Sequence, residues 1–194
     1  MSELEVVRSK IPSLSNRKVE RVVALVDTSS SMYADFYGMS RLDGAQRAVR
    51  AFVTASSPKF THIGLVSFDS YAETLVPPTK NYMQLQTVRL QTTGSTNMGD
   101  GLAACTGLDP QRVILLSDGQ PNSQLRVREA LHEYTERKIK VDTVAIGEAD
   151  LDFMREIAEL TGGTFKHIKH PDELAEHYKA LETRAYLQLT HKAV

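Results

Sequence analysis

Oxygen-bearing side chains crowd one short stretch of this 194-residue sequence, directly after an apolar run. Asp27 follows the run 19–26, and hydroxyl side chains occupy every position from 28 to 31. Hard divalent cations prefer oxygen ligands of these kinds. Ser29 and Ser31 alternate along the chain, so both of their hydroxyls can face one ion while the other two point away. The stretch therefore predicts a metal held at the carboxyl end of a strand.

Two further polar turns offer ligands of the same kind. The segment 94–101 (Gly-Ser-Thr-Asn-Met-Gly-Asp-Gly) places Thr96 in a glycine-flanked turn, and Asp118 ends an apolar run that starts at Arg112. Two carboxylates held close together repel each other and raise one pKa, and a divalent cation between them removes that cost. Because Mg²⁺ takes about six oxygens, these loops together with Asp27 leave a coordination position for a carboxylate from another molecule.

Strand and helix patterns alternate along the rest of the chain. Strands are predicted at 19–26, 62–68, 71–76, 112–117, 140–147 and 164–168. Helices are predicted at 41–53, 81–88, 102–107, from 124 onward, at 151–161 and from 171 onward. We expect the strand 71–76 to return antiparallel at a sheet edge and to stop at Pro77 and Pro78, because proline cannot donate to a strand ladder.

This alternation predicts an α/β fold: a doubly wound, mostly parallel six-stranded sheet with one antiparallel edge strand and helices on both faces. We expect the hairpin at one edge, the first strand in the middle and the strand from Arg112 beside it. The winding then reverses between these two central strands, and ligands in open α/β sheets bind at such a reversal. Asp27 and Asp118 should therefore meet in the crevice that the reversal opens.

The length of the chain predicts one domain. We assign residues 1–17 to an N-terminal arm, 18–190 to the domain and 191–194 to a C-terminal tail. The formal net charge of −1 gives no global basic field that would recruit nucleic acid. The single cysteine, Cys105, suits a reducing compartment, and the sequence shows neither a signal peptide nor a membrane-spanning apolar run. These features predict a cytoplasmic protein without a membrane partner.

Other polar residues have simpler interpretations. The charged residues of the first helix, Arg41, Asp43, Arg47 and Arg50, are expected on its solvent face. His167 and His170 could suggest zinc, but a pair without a third ligand favours a surface or capping role. No histidine is expected near the loops after the two central strands.

The three polar loops together resemble the motifs of von Willebrand factor A domains. Asp27-Thr-Ser29-Ser-Ser31 fits the family's Asp-x-Ser-x-Ser signature, 94–101 resembles its threonine loop, and Leu116-Ser-Asp118-Gly119 resembles its aspartate loop. The similarity extends over roughly residues 17–190. It implies a Rossmann-like doubly wound fold with an intact metal-ion-dependent adhesion site (MIDAS), in a stand-alone cytoplasmic member of the family.

The resemblance also implies roles for individual residues. Ser29, Ser31 and Thr96 are expected to bind the metal directly, and Asp27 and Asp118 through water, with Asp118 direct in one conformation. The expected ion is Mg²⁺, with Mn²⁺ as the alternative.

Two positions depart from the family pattern, since many members have glycine where Ser30 and Ser95 stand here. If either position needs a positive φ, serine costs about 1 kcal/mol.

The predicted function is a non-catalytic, metal-dependent adaptor that captures an Asp or Glu of a protein partner. Relatives of this type imply partners such as AAA+ ATPases or stress-response complexes. One alternative is a metal-dependent hydrolase of the phosphatase or nuclease type, which would need a base in reach of the attacking water. Another is a nucleic-acid-associated component of the same family, which the charge balance does not support.

Overall fold

Six strands form one sheet in a computed structural model, which describes residues 19–59 and 61–191, with side chains up to residue 181. The strands are β1 (Glu20–Asp27), β2 (Thr61–Phe68), β3 (Ala72–Thr79), β4 (Arg112–Ser117), β5 (Lys140–Ile146) and β6 (Phe165–Ile168). The predicted N-terminal arm, 1–17, and all but the first residue of the predicted tail lie outside the described residues.

The order of the strands across the sheet is β3-β2-β1-β4-β5-β6. β1 pairs in parallel with both β2 and β4, the β4-β5 and β5-β6 pairs are also parallel, and β3 runs antiparallel to β2 at the edge. The chain winds outward from β1 to β3 and then returns to the other side of β1, so the winding reverses between β1 and β4. The predicted doubly wound sheet and the position of its crevice are confirmed.

Six α-helices cover the two faces of the sheet in the described part of the chain. They are α1 (Arg41–Ala55), α2 (Tyr82–Thr87), α3 (Met98–Thr106), α4 (Gln124–Glu136), α5 (Leu151–Thr161) and α6 (Pro171–His191). Apolar residues of α1, α2 and α6 pack on one face, and those of α3, α4 and α5 pack on the other. Among the described residues, none of the helices combines the length and apolarity that a membrane crossing requires.

The continuous apolar run of β1 follows from its central place between two helical layers. Val22, Ala24 and Val26 belong to the core on the α1 side, whereas Val23 and Leu25 belong to the core on the α3 side. All five side chains are fully buried. A strand covered on both faces needs apolar residues at every position, because successive side chains point to opposite faces.

Two serines and a glycine set the ends of three helices. Ser40 accepts a hydrogen bond from the backbone N–H of Asp43 at 3.0 Å and caps α1. Ser123 caps α4 in the same way. Gly162 ends α5 in the left-handed conformation, with φ of +70°, which glycine adopts without steric cost.

The edge strand β3 differs from its prediction, because it runs through Pro77 and Pro78 to Thr79. An edge strand has one side without ladder partners, so a missing N–H on that side loses nothing. The pairing with β2 is irregular around Leu65, where the register shifts. Gly64 lies against the ring of Pro78, since a Cβ on Gly64 would stand 3.1 Å from the proline Cδ.

Helix α3 also differs from its prediction, because it starts at Met98 and not at residue 102. The prediction assigned the glycine-rich segment before Leu102 to a turn. A Cβ on Gly101 would lie 3.0 Å from Cβ of Phe68 and 3.1 Å from Cδ1 of Leu25. Glycine here allows the helix to approach the sheet closely. Cys105 is buried in this helix, and burial raises the pKa of its thiol to about 12.

Candidate metal site

A chain of hydrogen bonds links two of the predicted polar loops at the carboxyl edge of the sheet. The backbone N–H of Ser29 donates to Oδ1 of Asp27 at 2.8 Å. The hydroxyls of Ser29 and Ser31 are 3.0 Å apart, and the hydroxyl of Ser31 donates to Oδ1 of Asp118 at 2.8 Å. Four of the five predicted ligands therefore form one connected group across the crevice between β1 and β4.

The Asp27 carboxyl group is fully buried at the end of β1. The hydroxyl of Ser117, the last residue of β4, donates to its Oδ2 at 2.5 Å. Burial nevertheless raises the pKa of Asp27 from 3.8 to about 6, more than the hydrogen bonds from Ser117 and Ser29 lower it, and the charge of Asp118 raises it further. A nearby cation would therefore stabilise the ionised form of this carboxyl group.

The spacing of the two serine hydroxyls fits an octahedral ion. Oxygens about 2.1 Å from Mg²⁺ on adjacent vertices are about 3.0 Å from each other, which is the separation of the Ser29 and Ser31 hydroxyls. The other hydroxyls of the loop are directed elsewhere, as predicted. Thr28 donates to the carbonyl of Phe68 at 3.1 Å, and the side chain of Ser30 is exposed.

The threonine loop is held beside this group by Asn122. The backbone N–H of Asn122 donates to the carbonyl of Thr96 at 3.0 Å, and its side-chain oxygen accepts from the N–H of Thr96 at 3.4 Å. A Cβ built on Gly119 would lie 3.6 Å from the hydroxyl of Thr96 and 3.9 Å from that of Ser31. The threonine loop therefore faces the same space as the loop after β1. The ligand roles of the five residues stay predictions.

The two serines that replace family glycines cause no backbone strain. Among the described residues, the non-glycine positions with positive φ are Tyr37, Asp109 and Lys138, so neither Ser30 nor Ser95 is one of them. The positive φ of the threonine loop, +67°, falls on the glycine that precedes Ser95. The cost considered for a serine at these positions does not arise.

The prediction that Arg41 lies on the solvent face of the first helix is wrong, because its side chain points towards the candidate site. Its Nη1 donates to Oδ2 of Asp118 at 2.6 Å, and the two side chains are 18% and 0% exposed. The physical reason is that α1 starts at this edge, so a long side chain on its first residue reaches the buried carboxylate. Arg47 and Arg50 are exposed as predicted. A cation in the first turn of a helix opposes the helix dipole. This unfavourable position was the feature of the sequence that could have indicated a special role for Arg41.

A histidine also lies closer to these loops than predicted. The ring of His170 packs on that of Tyr37, in the loop after β1, with centroids 4.7 Å apart. Its Nδ1 accepts from the backbone N–H of Asp172 at 3.3 Å, a capping contact of the predicted kind. Within the described part of the chain, no three His, Cys, Asp or Glu residues are grouped to hold a metal.

Sequence reasoning missed Ser117 and Asn122 as well as Arg41. Ser117 had a signal, namely a hydroxyl that ends an otherwise apolar strand directly before Asp118. Asn122 had none, because asparagine after a proline is ordinary in turns.

Comparison with known proteins assigns the fold to a class. The family model described as von Willebrand factor type A domain matches residues 22–120, and the chain belongs to this family. A UPF0353 protein of Mycolicibacterium gilvum is 28% identical over 185 residues, which cover 76% of this chain and 54% of that protein. One of Mycolicibacterium vanbaalenii is 26% identical with the same coverage. The chain thus spans about half the length of these curated relatives.

Solved structures share the fold at low sequence identity. A von Willebrand factor type A protein from Catenulispora acidiphila has a TM-score of 0.73 at 21% identity, over 85% of this chain and 42% of its own. The conserved hypothetical protein BatB from Bacteroides thetaiotaomicron has a TM-score of 0.73 at 20% identity, over 85% and 98%. Proximal thread matrix protein 1 from the mussel byssus, solved with a zinc-occupied MIDAS motif, has a TM-score of 0.70 at 19% identity, over 87% and 46%.

Proposed function

We propose that this chain is a non-catalytic protein-interaction module that binds a divalent cation, Mg²⁺ with Mn²⁺ as the alternative, and through it captures an Asp or Glu of a protein partner. The observation that carries the proposal is the connected group of Asp27, Ser29, Ser31 and Asp118, whose two serine hydroxyls are 3.0 Å apart, a distance that two ligands on adjacent vertices of an octahedral ion would also have.

The hydroxyl residues and the carboxylate residues of the site have different roles. In the proposal, the hydroxyls of Ser29, Ser31 and Thr96 hold the cation directly, while Asp27 and Asp118 hold it through water, with Asp118 direct in one conformation. Neutral hydroxyls do not cancel the charge of the ion, so the bound cation supplies a coordination position that favours an outside carboxylate. The hydrogen bonds of Asp27 with Ser29 and Ser117 fix the orientation of its carboxyl group.

Exposed apolar side chains at the same edge support a protein as the partner. Tyr33, Tyr37 and Tyr71 are 67%, 66% and 80% exposed, and all three lie in the loops that follow β1 and β2. Leu125, in the first turn of α4, the helix that follows the aspartate loop in the chain, is 67% exposed. Aromatic side chains are enriched in protein interfaces.

An adaptor fits the site better than a hydrolase. Both carboxylates are already engaged, Asp27 by serines and Asp118 by Ser31 and Arg41. The Nδ1 of His170 is directed to its own helix, so it is not positioned as the base for an attacking water. We keep AAA+ ATPases and stress-response complexes as proposed partners and the cytoplasm as the proposed location.

The test is a matched pair of serine variants in the same loop. We expect Mg²⁺ to raise the melting temperature of the wild-type chain and of Ser30→Ala, whose hydroxyl is exposed, but not that of Ser29→Ala or Asp118→Ala. Partner capture from a source lysate should follow the same pattern and stop in EDTA. The proposal is wrong if Ser29→Ala binds the ion as the wild type does, or if capture is unchanged in chelator.

The same variants test the alternative enzyme function. If the chain shows phosphatase or nuclease activity with Mg²⁺ or Mn²⁺, and Asp118→Ala loses it, the chain is a hydrolase and the adaptor proposal is wrong.

A further inference from the structure

We propose that Arg41 is a built-in competitor of the metal: its guanidinium pairs with Asp118 and thereby weakens the binding of a divalent cation at the candidate site. This inference rests on the function proposed above, because it assigns a regulation of the same site. It concerns a residue outside the three motif loops, at the first position of α1.

Arg41 and Ser31 together use both oxygens of the Asp118 carboxylate. Ser31 donates to Oδ1 at 2.8 Å, and Nη1 of Arg41 donates to Oδ2 at 2.6 Å. The Asp118 side chain is fully buried, and Arg41 provides the positive charge that compensates it. A cation that takes Asp118 as a ligand through Oδ2 must first displace that N–H group.

The place of the guanidinium is built into the end of β5. Gly147 follows β5 with φ of +62°, and a Cβ there would lie 2.6 Å from Cζ and 2.7 Å from Nη2 of Arg41. Only a residue without a side chain leaves that space free. The inward position of Arg41 is therefore a packed arrangement and not one rotamer of a free surface side chain.

The ion pair is also incompletely satisfied, which makes it displaceable. The Nε of Arg41 is buried and finds no hydrogen-bond acceptor among the described residues. A buried N–H without an acceptor is unfavourable, and a single-point contact lacks the second bond of a bidentate arginine–carboxylate pair. The guanidinium thus neutralises Asp118 without holding it in the strongest possible way.

Charge gives the direction of the effect. Asp27 and Asp118 together offer a formal charge of −2 to a cation, and Arg41 offsets half of it at 2.6 Å from the carboxylate. A positive charge this close to a carboxylate repels a second cation and so weakens the binding of that cation to the carboxylate. With Arg41 in place, a metal-loaded site carries a net positive charge, which favours an anionic ligand.

The experiment measures binding of Mg²⁺ alone, and of Mn²⁺ alone, by calorimetry. Arg41→Gln removes the charge and keeps an N–H donor, Arg41→Lys keeps the charge, and Arg47→Gln removes an exposed charge from the same helix. We expect the Kd of Arg41→Gln to fall about tenfold, because the competing charge is removed, and the Kd values of the other two variants to stay near the wild-type value.

A stability readout separates competition from a merely structural role. In EDTA, Arg41→Gln should melt below the wild type, because Asp118 loses its cation, and Mg²⁺ should raise its melting temperature more than that of the wild type. Arg41→Lys keeps the test valid if Arg41→Gln does not fold, since a large fall in its Kd would contradict the charge argument.

The outcomes distinguish this inference from the proposed function. If the wild type binds the ion and Arg41→Gln binds it equally or more weakly, the competition is wrong and the adaptor proposal stands. If Arg41→Lys gains as much affinity as Arg41→Gln, charge is not the cause and the inference is overturned. If neither the wild type nor Arg41→Gln binds either ion, both proposals fail.

Discussion

At the scale of single residues, the site is built from groups that are unfavourable in the metal-free chain. Asp27 is a fully buried carboxyl group whose pKa is raised to about 6, mainly by burial. The Asp118 side chain is also buried, and its salt-bridge partner is Arg41. Natural proteins keep such arrangements where function requires them, at a loss of stability.

Asp27→Asn should therefore stabilise the metal-free protein at neutral pH. The pKa of Asp27 is raised from 3.8 to about 6 on folding, so the folded state binds more protons between these values. The free energy of unfolding then falls as pH rises through this range, by up to about 3 kcal/mol, and stays lower above it. Asparagine cannot ionise, so the variant lacks this loss.

The measurement is denaturant unfolding in EDTA across this pH range, with the difference between variant and wild type as the readout. The difference should grow with pH and level off above about pH 6. Mg²⁺ should stabilise only the wild type. Parallel pH profiles for the two proteins would contradict the assignment.

At the scale of elements, close packing between helix and sheet brings the threonine loop to the site. Helix α3 carries Gly99 and Gly101 in its first turn. Both lie so close to neighbouring elements that an added Cβ would be nearer than an ordinary van der Waals contact. Because Thr96 lies just before this helix, its position depends on how near α3 lies to β1 and β2.

We expect Gly101→Ala to destabilise the fold by about 1–3 kcal/mol, because its Cβ would meet Phe68 and Leu25 at 3.0 and 3.1 Å. This loss outweighs the gain of up to about 1 kcal/mol in helix propensity. Gly107→Ala, at the end of the same helix, is the control. Gly107 has φ of −63° and the nearest atom to its Cβ would be 3.5 Å away, so its free energy of unfolding should stay equal or rise. Equal effects of the two changes would show that packing is not the cause.

A buried ion pair ties α6 to the sheet at the edge opposite the candidate site. Arg112 of β4 pairs with Asp142 of β5, and its Nη1 donates to the carbonyl of Leu181 in α6 at 3.2 Å. The other oxygen of Asp142 accepts from the N–H and hydroxyl of Thr164 at 2.7 and 2.6 Å. One carboxylate therefore links β4, β5 and the segment before β6.

Asp142→Ala should cost about 3–5 kcal/mol, since it leaves a buried guanidinium without its partner. Glu156→Ala is the matched control, because Glu156 also pairs with an arginine, Arg128, but on the surface. An exposed pair contributes about 0–1 kcal/mol. Chemical denaturation of both variants gives the comparison, and a loss below 1 kcal/mol for Asp142→Ala would rule out the buried-pair account.

At the scale of the whole molecule, the chemistry and the exposed aromatic side chains lie at one edge of the sheet. The carboxyl ends of β1, β2 and β4 lie there because these strands are parallel. The ends of these strands and the loops that follow them carry the exposed tyrosines and four of the five candidate ligands, and Thr96 lies in the segment before α3. This arrangement predicts that a partner covers the end of the sheet at which the parallel strands terminate, and not a face of the sheet.

Tyr33→Ser and Tyr71→Ser should weaken metal-dependent partner capture severalfold or more, with unchanged stabilisation by Mg²⁺, since aromatic anchors at an interface contribute about 1 kcal/mol or more each. Leu160→Ser is the control, because Leu160 is 53% exposed near the end of α5, which lies at the opposite edge. Pull-down with and without EDTA measures the effect. An equal loss of capture in the control would place the partner elsewhere.

The layout of the sheet and the location of the crevice were predictable because they follow from local patterns. The buried run before Asp27 specifies a central strand, and the matching run before Asp118 specifies its neighbour. Element boundaries were less predictable. Pro77 and Gly101 carry ordinary turn signals, but an edge position and a close helix–sheet contact give them other roles.

The inward direction of the Arg41 side chain was not given by the spacing of apolar and charged residues along α1. Spacing along α1 placed Arg41 in solvent, yet Asp118 is 77 residues away in sequence and draws it inward. The contact of Ser117 with Asp27 joins residues 90 apart. Short-range periodicity reports which face of an element a residue occupies, and composition reports which ions its oxygens suit. Which charge a buried carboxylate meets is an outcome of long-range packing, because a flexible side chain turns to whichever distant group the fold brings within its reach.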